Sequence, residues 1–235
     1  MNLQTLSFRS TGAFSALAND YLEHPEKFAA WLPLPFSKEG IAKAVDQRQA
    51  FSPDQRQMLV AALERQYADV PARRVGLDQI RQLGNAGVYT VTTAHQPNLF
   101  TGPAYFIYKI AGTIALAQSL EAEGFGKFVP VYWMGAEDHD LEELNHTHVF
   151  GKRILWQTEQ TGAVGRMLLD DLTEVRDQLL DLLGEEGFAG ELADLIRTCY
   201  VSGITVAAAT RRFIDQLFGM YGLVVVDGDD ASLKA

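Results

Sequence analysis

Apolar and polar positions follow two different periods along this chain, and the change comes at Gly87. Before it, apolar residues recur at helical spacing, interrupted at prolines. Asp20 to Trp31 is a short helical pattern that Pro33 and Pro35 end. Ser52 to Tyr67 carries a full start signal: Ser52 at the N-cap, Pro53 at the first helical position and Gln55 completing a capping box. A further helix is predicted from about Arg74 to Leu83, with Gly84-Asn85 suited to its C-terminal cap. No internal repeat or low-complexity tract interrupts the pattern.

After Gly87, Val88-Tyr89-Thr90-Val91-Thr92-Thr93 is rich in β-branched and aromatic residues, which suit a pleated surface. A polar stretch, Ala94 to Gly102, leads to Pro103 and a long helical pattern, Ala104 to Glu123, that Gly124 can cap. Phe128 to Met134 reads as a second strand, with Pro130 near its start. Strand, long helix, strand is a βαβ unit, and the crossover length predicts parallel strands. Ile154 to Gln157 is a candidate short strand. Helices are predicted over Asp170 to Leu183, Leu192 to Cys199 and Thr205 to Tyr221. Leu223 to Asp227 is an apolar run of buried-strand type ending in an Asp. The fold class is therefore α/β with a parallel sheet. Residues 1–86 are expected to form a helical N-terminal segment packed on the core, and 87–235 the α/β part. Such a sheet normally has more strands than these, so the chain is expected to stop inside an α/β domain.

Composition narrows the function classes. Thirty Asp and Glu against 20 Lys and Arg leave a net charge of −10, and the clearest basic cluster is Arg73-Arg74. That balance argues against nucleic acid as the main partner. Apolar residues make up 47% and charged residues 21%, the balance of a folded globular chain rather than a disordered one. The single cysteine, Cys199, excludes an internal disulfide or a multi-Cys zinc site, and a reducing compartment is the natural reading. It lies in an apolar stretch and is expected to be buried rather than reactive. Trp31 and Trp156 are read as packing residues. Met1 to Ser10 lacks the pattern of a secretory signal, and no stretch approaches ~18 uninterrupted apolar residues, so no membrane association is expected.

Two segments carry chemistry, and both follow a strand. In open α/β sheets ligands bind beyond the carboxyl ends of strands, so both loops are expected to face one crevice. In the first, Thr92 to Pro103, Gly102-Pro103 opens a helix whose free N–H groups and positive dipole end suit an anion. His95, Gln96, Asn98 and Thr101 add donors and acceptors, and Lys109 stands about two turns along. The loop is neither a Walker A sequence nor a GxGxxG fingerprint. A plain βα turn with capping polar residues is the other reading. The second segment, Glu137 to His148, holds five carboxylates and three histidines in twelve residues. If helical, His139, Glu142 or Glu143, and His146 share a face. Such groups can bind a metal or act as general acid and base. An acidic helix start with surface histidines is the alternative. HxxxH-type zinc spacing is absent, and no metal is assigned. Asp227, at a strand end, is a lone candidate for a ribose contact.

Together, "TVTTAHQPNLFTGPAYFIYKI" and "VPVYWMGAEDHDLEELNH" resemble the cysteine-adding enzymes of bacillithiol biosynthesis. The residues that carry the resemblance are Gln96, Thr101-Gly102-Pro103, Tyr105, Lys109, Pro130, Trp133, Glu137-Asp138-His139-Asp140 and Asn145-His146. Tyr221-Gly222-Leu223 to Asp227 and Asp229-Asp230 fit the family's next segment. Ala94-His95 departs from a more usual Gly-Gln. Family members are roughly twice as long, with further connecting segments and a C-terminal coiled coil.

The resemblance implies a Rossmann-like, nucleotidyltransferase-like core in a cytoplasmic ligase that adds cysteine to glucosaminyl-malate, the last step of bacillithiol synthesis. Amide formation needs an activated carboxyl, so ATP is the expected cofactor. On this reading His95, Gln96, Asn98, Thr101, Gly102 and Lys109 hold the nucleotide. Glu137, Asp140, Asn145, Trp133 and Tyr105 contact substrate. Asp138, His139 and His146 are the catalytic candidates, with Asp138 or His139 as proton acceptor and a carboxylate holding His139 or His146. The partners are small molecules, with a homodimer formed mainly through the family's C-terminal half. A metal-dependent hydrolase using Asp138, His139 and His146 is one alternative, and a non-catalytic binding half is another. Such a fragment alone is expected to be inactive.

Overall fold

The computed structural model describes residues 4–68, 70 and 74–234. Arg73, half of the one basic cluster, lies outside the described residues. The chain divides into two compact units, Met1–Ala50 and Phe51–Ala235. The segment read as one helical piece, 1–86, is thus shared between both units, because the helices after residue 50 carry apolar faces that pack with the sheet.

The first unit contains α1 (Phe8–Thr11), α2 (Ala16–Glu23) and α3 (Lys38–Arg48). Ser7, Ser15 and Ser37 cap these helices by accepting from first-turn amides. The Asp20–Trp31 pattern is displaced: α2 ends at Glu23 and a short 3-10 turn, Pro25–Phe28, follows. Pro25 lacks the N–H that would have continued the helix. Trp31 is exposed rather than packed.

The second unit opens with α4 (Pro53–Gln66). Ser52 Oγ accepts from the Gln55 amide at 3.2 Å, and Gln55 Oε1 accepts from the Ser52 amide at 3.0 Å, so the capping box is complete. Helix α5 (Arg74–Gln82) follows. Its exit takes a positive φ at Gly87 rather than at Gly84. Next come β1 (Val88–His95), α6 (Ala104–Ala122) and β2 (Lys127–Met134), and β1 and β2 are parallel. After β2 the chain makes a short helix, α7 (Leu141–Leu144), and an antiparallel hairpin of β3 (His146–Val149) and β4 (Lys152–Leu155). Phe150 and Gly151, both at positive φ, form its two-residue turn. Helices α8 (Thr173–Leu183), α9 (Ala189–Cys199) and α10 (Val206–Phe218) lead to β5 (Val224–Asp227), parallel to β2.

The sheet order is β1-β2-β5, an α/β, Rossmann-like arrangement. Val129, Val131 and Val224 to Val226 are buried in it, with Tyr132 beneath α6 against Phe106. Trp156 is buried and its Nε1 donates to Asp171 Oδ1 at 2.7 Å. Cys199 is buried, and burial pushes its thiol up to about 11, so it is inert at neutral pH. Among the described residues no helix is long and apolar enough to cross a membrane.

Both sheet edges carry side-chain partners. On β5 the outward amides of Val225 and Asp227 donate to Tyr67 Oη (2.7 Å) and Gln66 Oε1 (2.9 Å) from the end of α4. On β1 the Val88 carbonyl accepts from Arg56 and the Ala94 carbonyl from Lys109. Since His95 O bonds inward to the Gly135 amide, alternation turns the Ala94 carbonyl outward. Charged side chains on an edge oppose unwanted strand pairing.

Candidate active-site cleft

The parallel register sets His95, Met134 and Asp227 side by side at the carboxyl ends of the three strands. The loop after β1 then makes an unusual turn: Phe100, Thr101 and Gly102 have φ of 50°, 74° and 61°. Side chains avoid this region, and β-branched or bulky ones most of all. Burial of Phe100, with its ring 4.6 Å from Tyr200, anchors the turn. Gly102 is required, since a Cβ there would lie 2.7 Å from Asn98 Cβ. The turn delivers the chain into α6 with Pro103 at the N-cap and no side-chain cap. The first-turn amides of Ala104 and Tyr105 are left without intrahelical partners.

A cleft of about 600 Å³ lies at this point. One wall is His95, Gln96, Asn98 and Gly102 to Tyr105. The other is Glu143, Leu144, His146, Thr147 and His148. The two polar segments therefore do meet, although the second contributes its later half.

His95 sits with Nε2 3.0 Å from Tyr105 Oη and Nδ1 3.2 Å from the Gln96 carbonyl oxygen. Burial of the imidazole pulls its pKa below the usual value. The Gln96 carbonyl opposes that shift, and the Lys109 ammonium adds to it. Gln96 Nε2 donates to Asp138 Oδ2 at 3.2 Å and ties the two loops together. Asp138 Oδ1 accepts from the Asp140 amide at 2.9 Å. That backbone bond, and then Gln96, hold the Asp138 carboxyl below its ordinary range, which makes it an anchor and a weak base.

The other candidates are dispersed. His139 and Asp140 are exposed, and Asp140 Oδ1 caps α7 at the Glu143 amide. Glu137 lies 3.9 Å from Lys234. Asn145 Oδ1 is 3.4 Å from His146 Nδ1, and the His146 and His148 rings meet edge-on at 5.3 Å. Among the described residues the hydrogen-bond partner of His146 is Asn145 rather than a carboxylate. Trp133, at the end of β2, is packed so closely on Gly228 that a Cβ there would come 2.5 Å from its indole nitrogen. Thr101 lines a separate apolar pocket of about 260 Å³ with Phe100, Ile107 and Phe213. Asp227 pairs with buried Arg211 at 3.7 Å.

The one-face helical arrangement of His139, Glu142 or Glu143, and His146 does not form, because the helix ends at Leu144 and His146 starts a strand. The alternation His146-Thr147-His148-Val149 was the available signal, and period two puts both imidazoles on one face. A helical period over that stretch leaves His148 off the face shared by His139 and His146.

Lys109 departs from the phosphate role: its Nζ donates to the Ala94 carbonyl at 2.7 Å. Replacing Lys109 with methionine is expected to raise the His95 pKa, since the ammonium disfavours the imidazolium. NMR titration of the His95 ring protons reads the shift, and an unchanged or lowered value contradicts the coupling.

The sequence model of one family, described as "Bacillithiol biosynthesis BshC, N-terminal Rossmann-like domain", matches residues 1–235. The chain belongs to the BshC family. Similar chains include one from Cytophaga hutchinsonii, 36% identical over 234 residues, covering 99% of this chain and 43% of the relative. Another, from Flavobacterium psychrophilum, is 38% identical over 237 residues, covering all of this chain and 45% of the relative. A third, from Koribacter versatilis, is 31% identical over 222 residues, covering 91% and 40%. Each bears the name "Putative cysteine ligase BshC". The chain spans less than half the length of these relatives. The BshC match covers the cleft, the strained turn into α6 and the hairpin alike.

Proposed function

We propose that this chain forms the ligand-binding core of a ligase that joins cysteine to glucosaminyl-malate, with ATP activating the carboxyl group. The observation that carries the reading is the cleft shared by the two loops and latched by Gln96 and Asp138. A nucleotide phosphate fits its donor set: the first-turn amides and positive end of α6, with Gly102 permitting close approach. The volume is within the ~300–1,000 Å³ usual for small-ligand sites. When bound, ATP supplies the leaving group that makes amide formation favourable. Around it, Gln96 holds the loop, and His95 and Tyr105 present a hydrogen-bonded pair. Glu143, His146 and His148 offer an acceptor-rich wall suited to the amine or hydroxyls of the second substrate. Asp138 and His139 do not line the cleft, so the role assigned to Asp138 here is to hold Gln96. The reading for the compartment is the cytoplasm.

Among the described residues no three His, Cys, Asp or Glu groups come together in a metal-holding arrangement.

Calorimetry with ATP on the 235-residue chain tests the binding half. Saturable binding is expected, and Gln96→Ala is expected to weaken it about tenfold, the equivalent of ~1.4 kcal/mol. No binding at millimolar ATP overturns the assignment. Turnover of glucosaminyl-malate, cysteine and ATP is expected from chains of the relatives' full length and not from these 235 residues. Product formed by this chain alone refutes that part.

A further inference from the structure

The peptide that follows β1 is held from beneath by a residue that does not line the cleft. Tyr132, on the neighbouring strand, is fully buried between the sheet and α6. Its ring meets Phe106 edge-on at 5.2 Å, so its position is set by packing. Its hydroxyl reaches two consecutive carbonyls, sharing its single proton between His95 O at 3.1 Å and Gln96 O at 3.3 Å. Phe would fill the same space, so packing alone does not require this hydroxyl. The phenol is held protonated by burial, which keeps it a donor across the physiological range.

The Gln96 carbonyl is a meeting point. Besides Tyr132 it accepts from the Asn98 amide at 2.9 Å and faces His95 Nδ1 at 3.2 Å. A carbonyl oxygen can only accept, so Nδ1 must carry the proton in this contact. The neutral ring then has its lone pair on Nε2, where the Tyr105 hydroxyl, 3.0 Å away, can donate to it. Which nitrogen faces the cleft as an acceptor therefore depends on where the 96 carbonyl points.

We propose that Tyr132 is a positioning residue: through the Gln96 carbonyl it holds His95 as the Nδ1–H tautomer, with the Nε2 lone pair turned to Tyr105 and the cleft. In this state His95 acts as an acceptor through Tyr105: the hydroxyl passes its proton to Nε2 as the phenol oxygen takes one from a ligand. The neutral ring is not a hydrogen-bond donor to a phosphate at Nε2, so anion binding falls to the α6 amides. The inference rests on the proposed ligand cleft for its functional meaning, but the tautomer itself can be read without any ligand.

The test is nitrogen-15 NMR of the histidine rings in the whole 235-residue chain at a pH where His95 is neutral. Wild-type His95 is expected to show a protonated Nδ1 and an unprotonated Nε2. A protonated Nε2 in the wild type overturns the proposal outright, whatever the variants do. Tyr132→Phe is expected to give a mixture of tautomers and a changed His95 pKa, whereas the same single tautomer and pKa overturn it. Tyr105→Phe, at an exposed position, is expected to keep Nδ1–H, and a switch of tautomer there would assign control to Tyr105 instead and overturn the role of Tyr132. ATP affinity measured on the same samples reports only on the proposed function. A tautomer that changes in Tyr132→Phe supports the positioning role even when the chain fails to bind ATP.

Discussion

Gly102→Ala is expected to destabilise the second unit by about 2–4 kcal/mol and to remove ligand binding at the cleft. Two physical terms add. Gly102 adopts φ 61° and ψ −130°, a conformation that costs a side-chain-bearing residue ~1–3 kcal/mol. The new Cβ would also meet Asn98 Cβ at 2.7 Å, and overpacking of this kind costs ~1–3 kcal/mol. Asn98 has little room to yield, being buried and reaching the Glu143 carbonyl across the cleft. Phe100 and Thr101 are already at positive φ, so the turn has no relaxed form that still leads into α6. Urea unfolding of the variant measures the loss. A midpoint within error of wild type would mean that the turn relaxes freely, and the strained geometry would lose its place in the account of the cleft.

Arg211→Met is the second large effect, about 3–5 kcal/mol, the range seen when one partner of a buried ion pair is removed. Arg211 is 4% exposed. Its Nη1 donates to the Gln66 carbonyl at 3.2 Å and its Nη2 to Gln66 Oε1 at 3.1 Å, beside the Asp227 carboxylate. Gln66 in turn accepts from the Asp227 amide, so the guanidinium, α4 and the end of β5 form one network. Burial raises the Asp227 pKa, while the Asp229 amide and Arg211 pull it down. A carboxyl with a raised folded pKa stabilises most when protonated, and that contribution is lost as pH rises through the folded value. Removing Arg211 raises the Asp227 pKa further. The penalty of Arg211→Met should therefore grow between about pH 4 and pH 7 and shrink in acid. Chemical denaturation at both pH values checks this. Asp215 and Asp230 also act on Arg211, so a pH-independent penalty would show that none of these carboxylates is the charge Arg211 compensates.

Sequence by itself determined the local elements. The capping box of Ser52 and Gln55 needs only neighbouring residues, and α4 begins where those residues place it. The β-branched run before the loop, the apolar crossover and the second strand are likewise short-range signals, and β1, α6 and β2 follow them closely. The glycine and proline at 102 and 103 marked the helix entry because their conformational limits are intrinsic. The expectation that two polar loops share one crevice came from the parallel strand order alone.

Only the tertiary structure decided what each polar residue does there. Lys109 turns to the Ala94 carbonyl because β1 is an edge strand with an outward carbonyl, a fact that exists only once the sheet is assembled. His148 joins the cleft because β3 pairs with β4; the alternation at 146–149 and the apolar run at Ile154 are local signs of strands, but neither shows that the two pair beside the cleft. Tyr132 reads in sequence as one more apolar strand residue. Its hydroxyl acquires a task only when β1 lies alongside and brings the His95 and Gln96 carbonyls within reach. Local propensity acts over a few residues, whereas hydrogen-bond partners and electrostatic environment are set by chain segments tens of residues apart. The type of the elements was therefore legible in advance, and the roles at the cleft were not.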